Sequence, residues 1–225
     1  MDPISNIVQL SNCFRLLAAC FYQPDTELFK EEELCAKLQE SCVTICPKAI
    51  PPIQVMAMAL QKTSDQDMQV TYAELFVGPF ELKASPYGST YLDLNRQLMG
   101  DSTMWVKKLY QQAGLEVDIQ QPPDHIAIEL EFLSHLWSLE AESLLAGSPA
   151  KAAKVQNERQ VFLDSCLLPW IQELTDNIRS GTDSLFYRGL ADCLDAVVQQ
   201  LPVQETTPFN HERRAAGDHA SPSPV

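Results

Sequence analysis

ISNIVQLSNCFRLLAACFY, residues 4–22, places Ile7, Leu10, Phe14, Leu17 and Phe21 three or four positions apart. At 3.6 residues per turn those side chains fall on one side of a helix, so the segment reads as an amphipathic α-helix with its apolar stripe turned to a core. Gln9, Ser11, Asn12 and Arg15 interrupt the apolar run, and no basic cluster precedes it. It therefore reads neither as a secretory signal nor as a membrane span, which needs roughly 18 apolar residues in succession. Pro24 and Asp25 end it.

The same periodicity continues outward from this helix. Helices are expected over about 26–46, 53–62, 65–77, 102–113, 124–146, 150–179 with a break near Pro169, and 183–201. Gly78-Pro79, Gly114 and Gly147-Ser148-Pro149 supply the stops. No run alternates with period two for long enough to build a sheet. Residues 79–100 mix Pro, Gly and Ser with large apolar groups, which predicts an ordered loop rather than a solvated linker. Beyond residue 203 the periodicity stops and Pro and Ser accumulate. The expected architecture is all-α: one helical domain of about eight to ten helices over 1–202, with a disordered C-terminal tail over 203–225.

Composition narrows the function classes. The chain has 225 residues, 45% of them hydrophobic, which is enough to bury one substantial core. Its formal net charge is −14, with an isoelectric point near 4.6. That field repels phosphate backbones and anionic lipid, so neither nucleic acid binding nor stable membrane insertion is expected; it favours encounter with a basic peptide. Seven cysteines, at 13, 20, 35, 42, 46, 166 and 193, are an odd number without paired short spacings. This argues against a secreted disulfide framework and for reduced thiols lining a core in the cytoplasm.

Catalytic chemistry finds little support. His125, Glu129, Glu131 and His135 lie on one expected helix, but Glu131 and His135 point well away from the first two. The Glu-x-x-His spacing of di-metal bundles is missing, because Phe132 stands three before His135. No metal site and no cofactor is expected. His125 and Glu129 do share a face with Phe132, Leu133 and Leu136, which suggests a polar pair, buried or at a rim. There is no Gly-rich phosphate loop followed by Lys, and no G-x-S-x-G elbow. Tyr72, Leu75 and Phe76, with Phe80 beyond, run into an aromatic, Pro-rich loop (Pro86, Tyr87, Tyr91), the kind of surface that accepts a peptide.

YAELFVGPFELKASPYGSTYLD (72–93), followed by QPPDHIAIELEFLSHL (121–136), resembles two signature stretches of the TorD/DmsD family of redox-enzyme maturation chaperones. The resemblance spans about residues 5–200 and is sharp in these two stretches. It implies a cytoplasmic, all-helical, non-enzymatic chaperone. Its partners would be the twin-arginine signal peptide and the apoprotein of a molybdopterin-type, molybdenum-cofactor reductase, which it assists in cofactor insertion and holds back from export. By position, the resemblance puts the peptide-binding residues at Tyr72, Leu75, Phe76 and Phe80, with a loop signature at Pro86, Tyr87, Gly88, Ser89 and Tyr91. A second motif falls at Gln121, Pro122, Pro123, Asp124 and His125, with Gln121 where the family usually has Glu. Pairing with an arginine there rests on Asp124 or Glu129. Two other readings stay open: a helical small-molecule or metal-handling protein using His125, Glu129 and the cysteines, and an adaptor subunit that reads no signal peptide. Either a monomer or a helix-swapped homodimer is compatible with the sequence, the 79–100 loop acting as hinge in the dimer.

Overall fold

The computed structural model describes residues 3–79, 82–115 and 121–201. Among these, helix is the only regular secondary structure, and the one strand-like contact is an isolated antiparallel bridge between Tyr87 and His125. The order is α1 (Pro3–Ala19), α2 (Thr26–Glu31), α3 (Leu34–Ile45), α4 (Ile50–Lys62), α5 (Asp65–Tyr72), α6 (Ser89–Leu92), α7 (Asp101–Gln112), α8 (Ile126–Leu145), α9 (Pro149–Phe162), α10 (Leu168–Gly181) and α11 (Leu185–Gln200). The tail expected over 203–225 lies outside the described residues. No helix among those described is long and apolar enough to cross a membrane.

α8 is the axis of the molecule. Its successive residues Ile126, Ala127, Ile128, Glu129 and Leu130 are all buried, so its N-terminal turn is covered on every side rather than along one stripe. α1 lies along α8, and the two approach closely at paired serines. Ser11 Oγ donates to Ser134 O (2.9 Å) and Ser134 Oγ donates to Ser11 O (2.8 Å). The stripe read from the first helix is turned inward as expected: Phe14, Leu17 and Phe21 are buried, with Ile7 and Leu10 at its margin. α3 packs on α1, α9 on α8, and α11 on α4 and α10. All seven cysteines are buried thiols, with Cys13 Sγ 3.6 Å from Cys42 Sγ between α1 and α3.

Two elements depart from the sequence reading. The helix expected over 26–46 is two, because Glu33 adopts a left-handed conformation (φ 51°, ψ 39°) between α2 and α3. A left-handed residue without glycine is a local strain. Glu33→Gly is therefore expected to raise stability by roughly 0.5–1 kcal/mol, read as a higher urea midpoint at unchanged slope. The helix over 65–77 does continue to Val77, but its last turn, Ala73–Val77, is a π-helix closed by Gly78 at φ 66°. The break expected near Pro169 is present as a π-turn at Leu163–Leu167, after which the proline sits in the first turn of α10, where no backbone N–H is needed.

Candidate functional site

Two stretches far apart in sequence are stitched together where α8 begins. Ile126 N–H donates to Pro86 O (2.8 Å) and Gly88 N–H donates to Asp124 O (2.9 Å), so residues 86–88 run antiparallel to 124–126. The Asp124 side chain adds a third tie, its Oδ2 accepting from Ser89 N–H at 2.7 Å at the start of α6. His125, rather than Asp124, caps α8: its Nδ1 accepts from Ala127 N–H (3.2 Å). The ring therefore carries its proton on Nε2. Burial holds it down to about 4, against a smaller upward pull from Asp124, so the imidazole is neutral near pH 7.

Aromatic rings gather on that imidazole. Tyr22 stacks on it (6.1 Å between centroids, 10°) and Tyr87 meets it edge-on (5.3 Å, 74°). The Tyr87 hydroxyl donates to Gln121 Oε1 (3.0 Å). Tyr72 lies alongside, its hydroxyl donating to Phe21 O (3.3 Å), and it acts electrostatically on Tyr22 as Tyr87 does on it. The three tyrosines are half-buried, so they present ring surface outward while their hydroxyls are tied or shifted upward by burial. Glu131, exposed on α8, sits against Tyr22. Just past Tyr22 opens a cleft of about 560 Å³ lined by Gln23, Pro24, Asp25, Glu27, Asp65 and Gln69, with carboxylates and amides but no cation.

The remaining residues singled out in the sequence lie underneath. Leu75 is fully buried and Phe76 nearly so, Phe76 packing on Phe21, Tyr72 and Tyr187. Pro86, Gly88 and Ser89 are buried, Pro122 is partly so, and Tyr91 stacks on Trp170 (5.2 Å) while donating to Ser85 O (2.8 Å). Gly88 faces the same indole so closely that a Cβ would stand 3.1 Å from Trp170 Nε1. Phe80 lies outside the described residues.

Asp124 and Glu129 correct the expectation of a carboxylate at the groove's edge. Each is 1% exposed: Asp124 is held against Ser89, and Glu129 faces Asp124, Tyr110 and Trp170. Asp124 Oδ1 and Glu129 Oε2 are buried without a hydrogen-bond partner among the described residues. Burial, then the Asp124 charge, pushes the Glu129 carboxyl well up, with the Trp170 indole opposing. A carboxylate with no cation beside it takes the neutral form. The expected His125–Glu129 pair is likewise replaced: the imidazole turns to the tyrosines and the carboxyl inward to Trp170. Among the described residues, no three His, Cys, Asp or Glu side chains are placed to hold a metal ion.

Tyr22, Trp170 and Glu131 were not picked out by sequence as parts of this face. Tyr22 lies in the turn after α1 and Trp170 on α10, and nothing in their local pattern marks them; only tertiary packing brings them here.

The family model described as nitrate reductase delta subunit matches residues 31–176. The chaperone protein TorD of Salmonella paratyphi B is 30% identical over 148 residues, 65% of this chain and 64% of the relative. That of Salmonella agona is 31% identical over 147 residues, 64% and 63% of the two chains. The match thus spans less than two thirds of these curated relatives. Among solved structures, a protein from Archaeoglobus fulgidus described as a redox enzyme maturation protein superposes with a TM-score of 0.52 at 22% identity, covering 82% of this chain and 93% of that one. That likeness concerns the fold.

Proposed function

Because the chain belongs to the nitrate reductase delta subunit family, we propose that it is a maturation chaperone of the TorD type, working in the cytoplasm and catalysing no reaction. In this reading it binds the twin-arginine signal peptide and the apoprotein of a molybdenum-cofactor oxidoreductase, assists cofactor insertion and delays export until the client is mature. The observation that carries the reading is the composite face. Three half-buried tyrosines surround a neutral imidazole, and Glu131 and a cation-free acidic cleft border them. A leader that joins two guanidiniums to an apolar segment matches both parts, the rings taking the apolar segment and the carboxylates the arginines. Tyr72 and Tyr87 are then contacts, and Leu75, Phe76, Pro86, Gly88, Ser89, Tyr91, Asp124 and Glu129 hold the contacts in place.

Calorimetry against a leader peptide with consecutive arginines, and a Lys-Lys version as control, tests this. Tyr72→Ala is expected to weaken binding by about 1–3 kcal/mol, the range of a central aromatic anchor. Glu131→Gln should weaken it less and flatten its salt dependence. Asp124→Asn should leave affinity within about twofold, since a buried carboxyl that anchors Ser89 meets no peptide. Equal affinity for the wild type and Tyr72→Ala at unchanged melting temperature would remove the tyrosine face from the site. A large, salt-sensitive loss in Asp124→Asn would return the arginine contact to the interior.

A further inference from the structure

Resting on that reading of the tyrosine face, we infer that residues 208–214, PFNHERR, act as an internal competitor for it, docking there when no leader is bound. Of the seven arginines in the chain, Arg213 and Arg214 form the one adjacent pair, and Phe209 stands four residues before it. Two neighbouring guanidiniums beside an aromatic group are the chemistry assigned above to the leader.

Reach follows from the placement of α11. Tyr187, in its first turn, packs on Phe76 (5.6 Å between centroids), which in turn touches Tyr72 (5.3 Å). From Tyr187 the helix runs to Leu201, a rise of about 21 Å, and Leu201 is buried against the core, which fixes the point of departure. Arg213 follows 12 residues later, and such a segment spans up to about 40 Å. The pair can return over the face from which α11 starts without full extension.

Charge favours the same destination. Glu131, Asp25, Glu27 and Asp65 border the face, and no Lys or Arg lines the cleft to compete. A tethered segment is present at an effective concentration on the order of 1 mM. An intrinsic dissociation constant near 0.1 mM would then weaken the apparent affinity for a leader about tenfold. A contact that weak excludes adventitious basic segments and still yields to a leader of higher affinity.

The test uses the full chain, its Arg213→Gln/Arg214→Gln variant, a labelled twin-arginine leader and a labelled synthetic peptide of residues 205–219. The leader is expected to bind the variant about tenfold tighter than the wild type, and the 205–219 peptide to bind the variant and be displaced by leader. Leader binding of equal strength to both proteins would overturn the competitor while leaving the leader site standing. Failure of the 205–219 peptide to bind the variant would overturn it whatever the leader does. Peptide binding without leader binding would uphold the internal contact and instead refute the leader reading of the face.

Discussion

Replacing Arg159 with alanine is expected to lower stability by about 3–5 kcal/mol, the range for removing one partner of a buried ion pair. Arg159 on α9 reaches under the surface to pair with Glu140 on α8, and both side chains are almost fully enclosed. Its guanidinium also lies over the Trp137 ring, 3.3 Å from the centroid. Burial pulls the guanidinium down from its ordinary range while Glu140 pushes it back, so the charge persists because the carboxylate does. Alanine leaves that carboxylate buried and alone, and it also strips the cation from the indole face. In a chain of this size the melting temperature should fall by on the order of 10 °C. Replacing both members by methionine should come within about 1–2 kcal/mol of the wild type, because no charge is then left unpaired. Denaturant melts of the two variants decide it. An alanine variant as stable as the wild type would mean that Glu140 finds water or another partner.

Glu129→Gln is expected to remove a loss of stability that the wild-type carboxyl contributes as pH rises above its ordinary range. The sign follows from the direction of the shift. The folded chain keeps a proton on Glu129, whereas the unfolded chain, with an ordinary carboxyl, has released it. Raising the pH therefore favours unfolding, by up to about 1.4 kcal/mol per unit until the folded group also ionises. Asp124, Tyr110 and Trp170 face this carboxyl, and none of them is a cation. His125 works in the opposite sense. Held down to about 4 from 6.5, it is neutral in the fold, so the stability it contributes is complete above 6.5 and lost as pH falls toward 4. The two effects oppose each other between about 4.5 and 6.5, so wild-type stability should be nearly level there and decline as pH rises above 6.5. Glutamine keeps the shape and the hydrogen-bonding capacity of the protonated acid, so it should abolish the decline above 6.5 and leave the His125 rise between about 4 and 6.5 unopposed. Urea midpoints from pH 4 to 9 measure this; a wild-type profile that stays level above pH 6.5 would contradict a neutral Glu129.

Much of the architecture was legible without coordinates. The stripe Phe14, Leu17, Phe21, the stop at Gly114 and the boundaries of α7, α8 and α11 all followed from helical period and breaker residues, because both act within one or two turns of chain. So did the small, buried character of the cysteines. Local reasoning failed where a strained backbone was held by tertiary contacts. Glu33 breaks a helix that its neighbours would continue, and the π-turns at Ala73–Val77 and Leu163–Leu167 leave no mark in the periodicity.

The site divides along the same line. The sequence by itself marked the two segments, since PYGSTY and PPDH carry the family resemblance wherever they lie in space. Only the tertiary structure decided what each side chain does. The pairing of residues 86–88 with 124–126 tied Asp124 to Ser89 and left His125 as the helix cap, while Glu129 faces Trp170 and Tyr22 comes onto the imidazole from the turn after α1. Periodicity assigns a residue to a face of its own helix; whether that face meets solvent or another segment depends on contacts across a hundred residues, whose energies are not written in any local pattern.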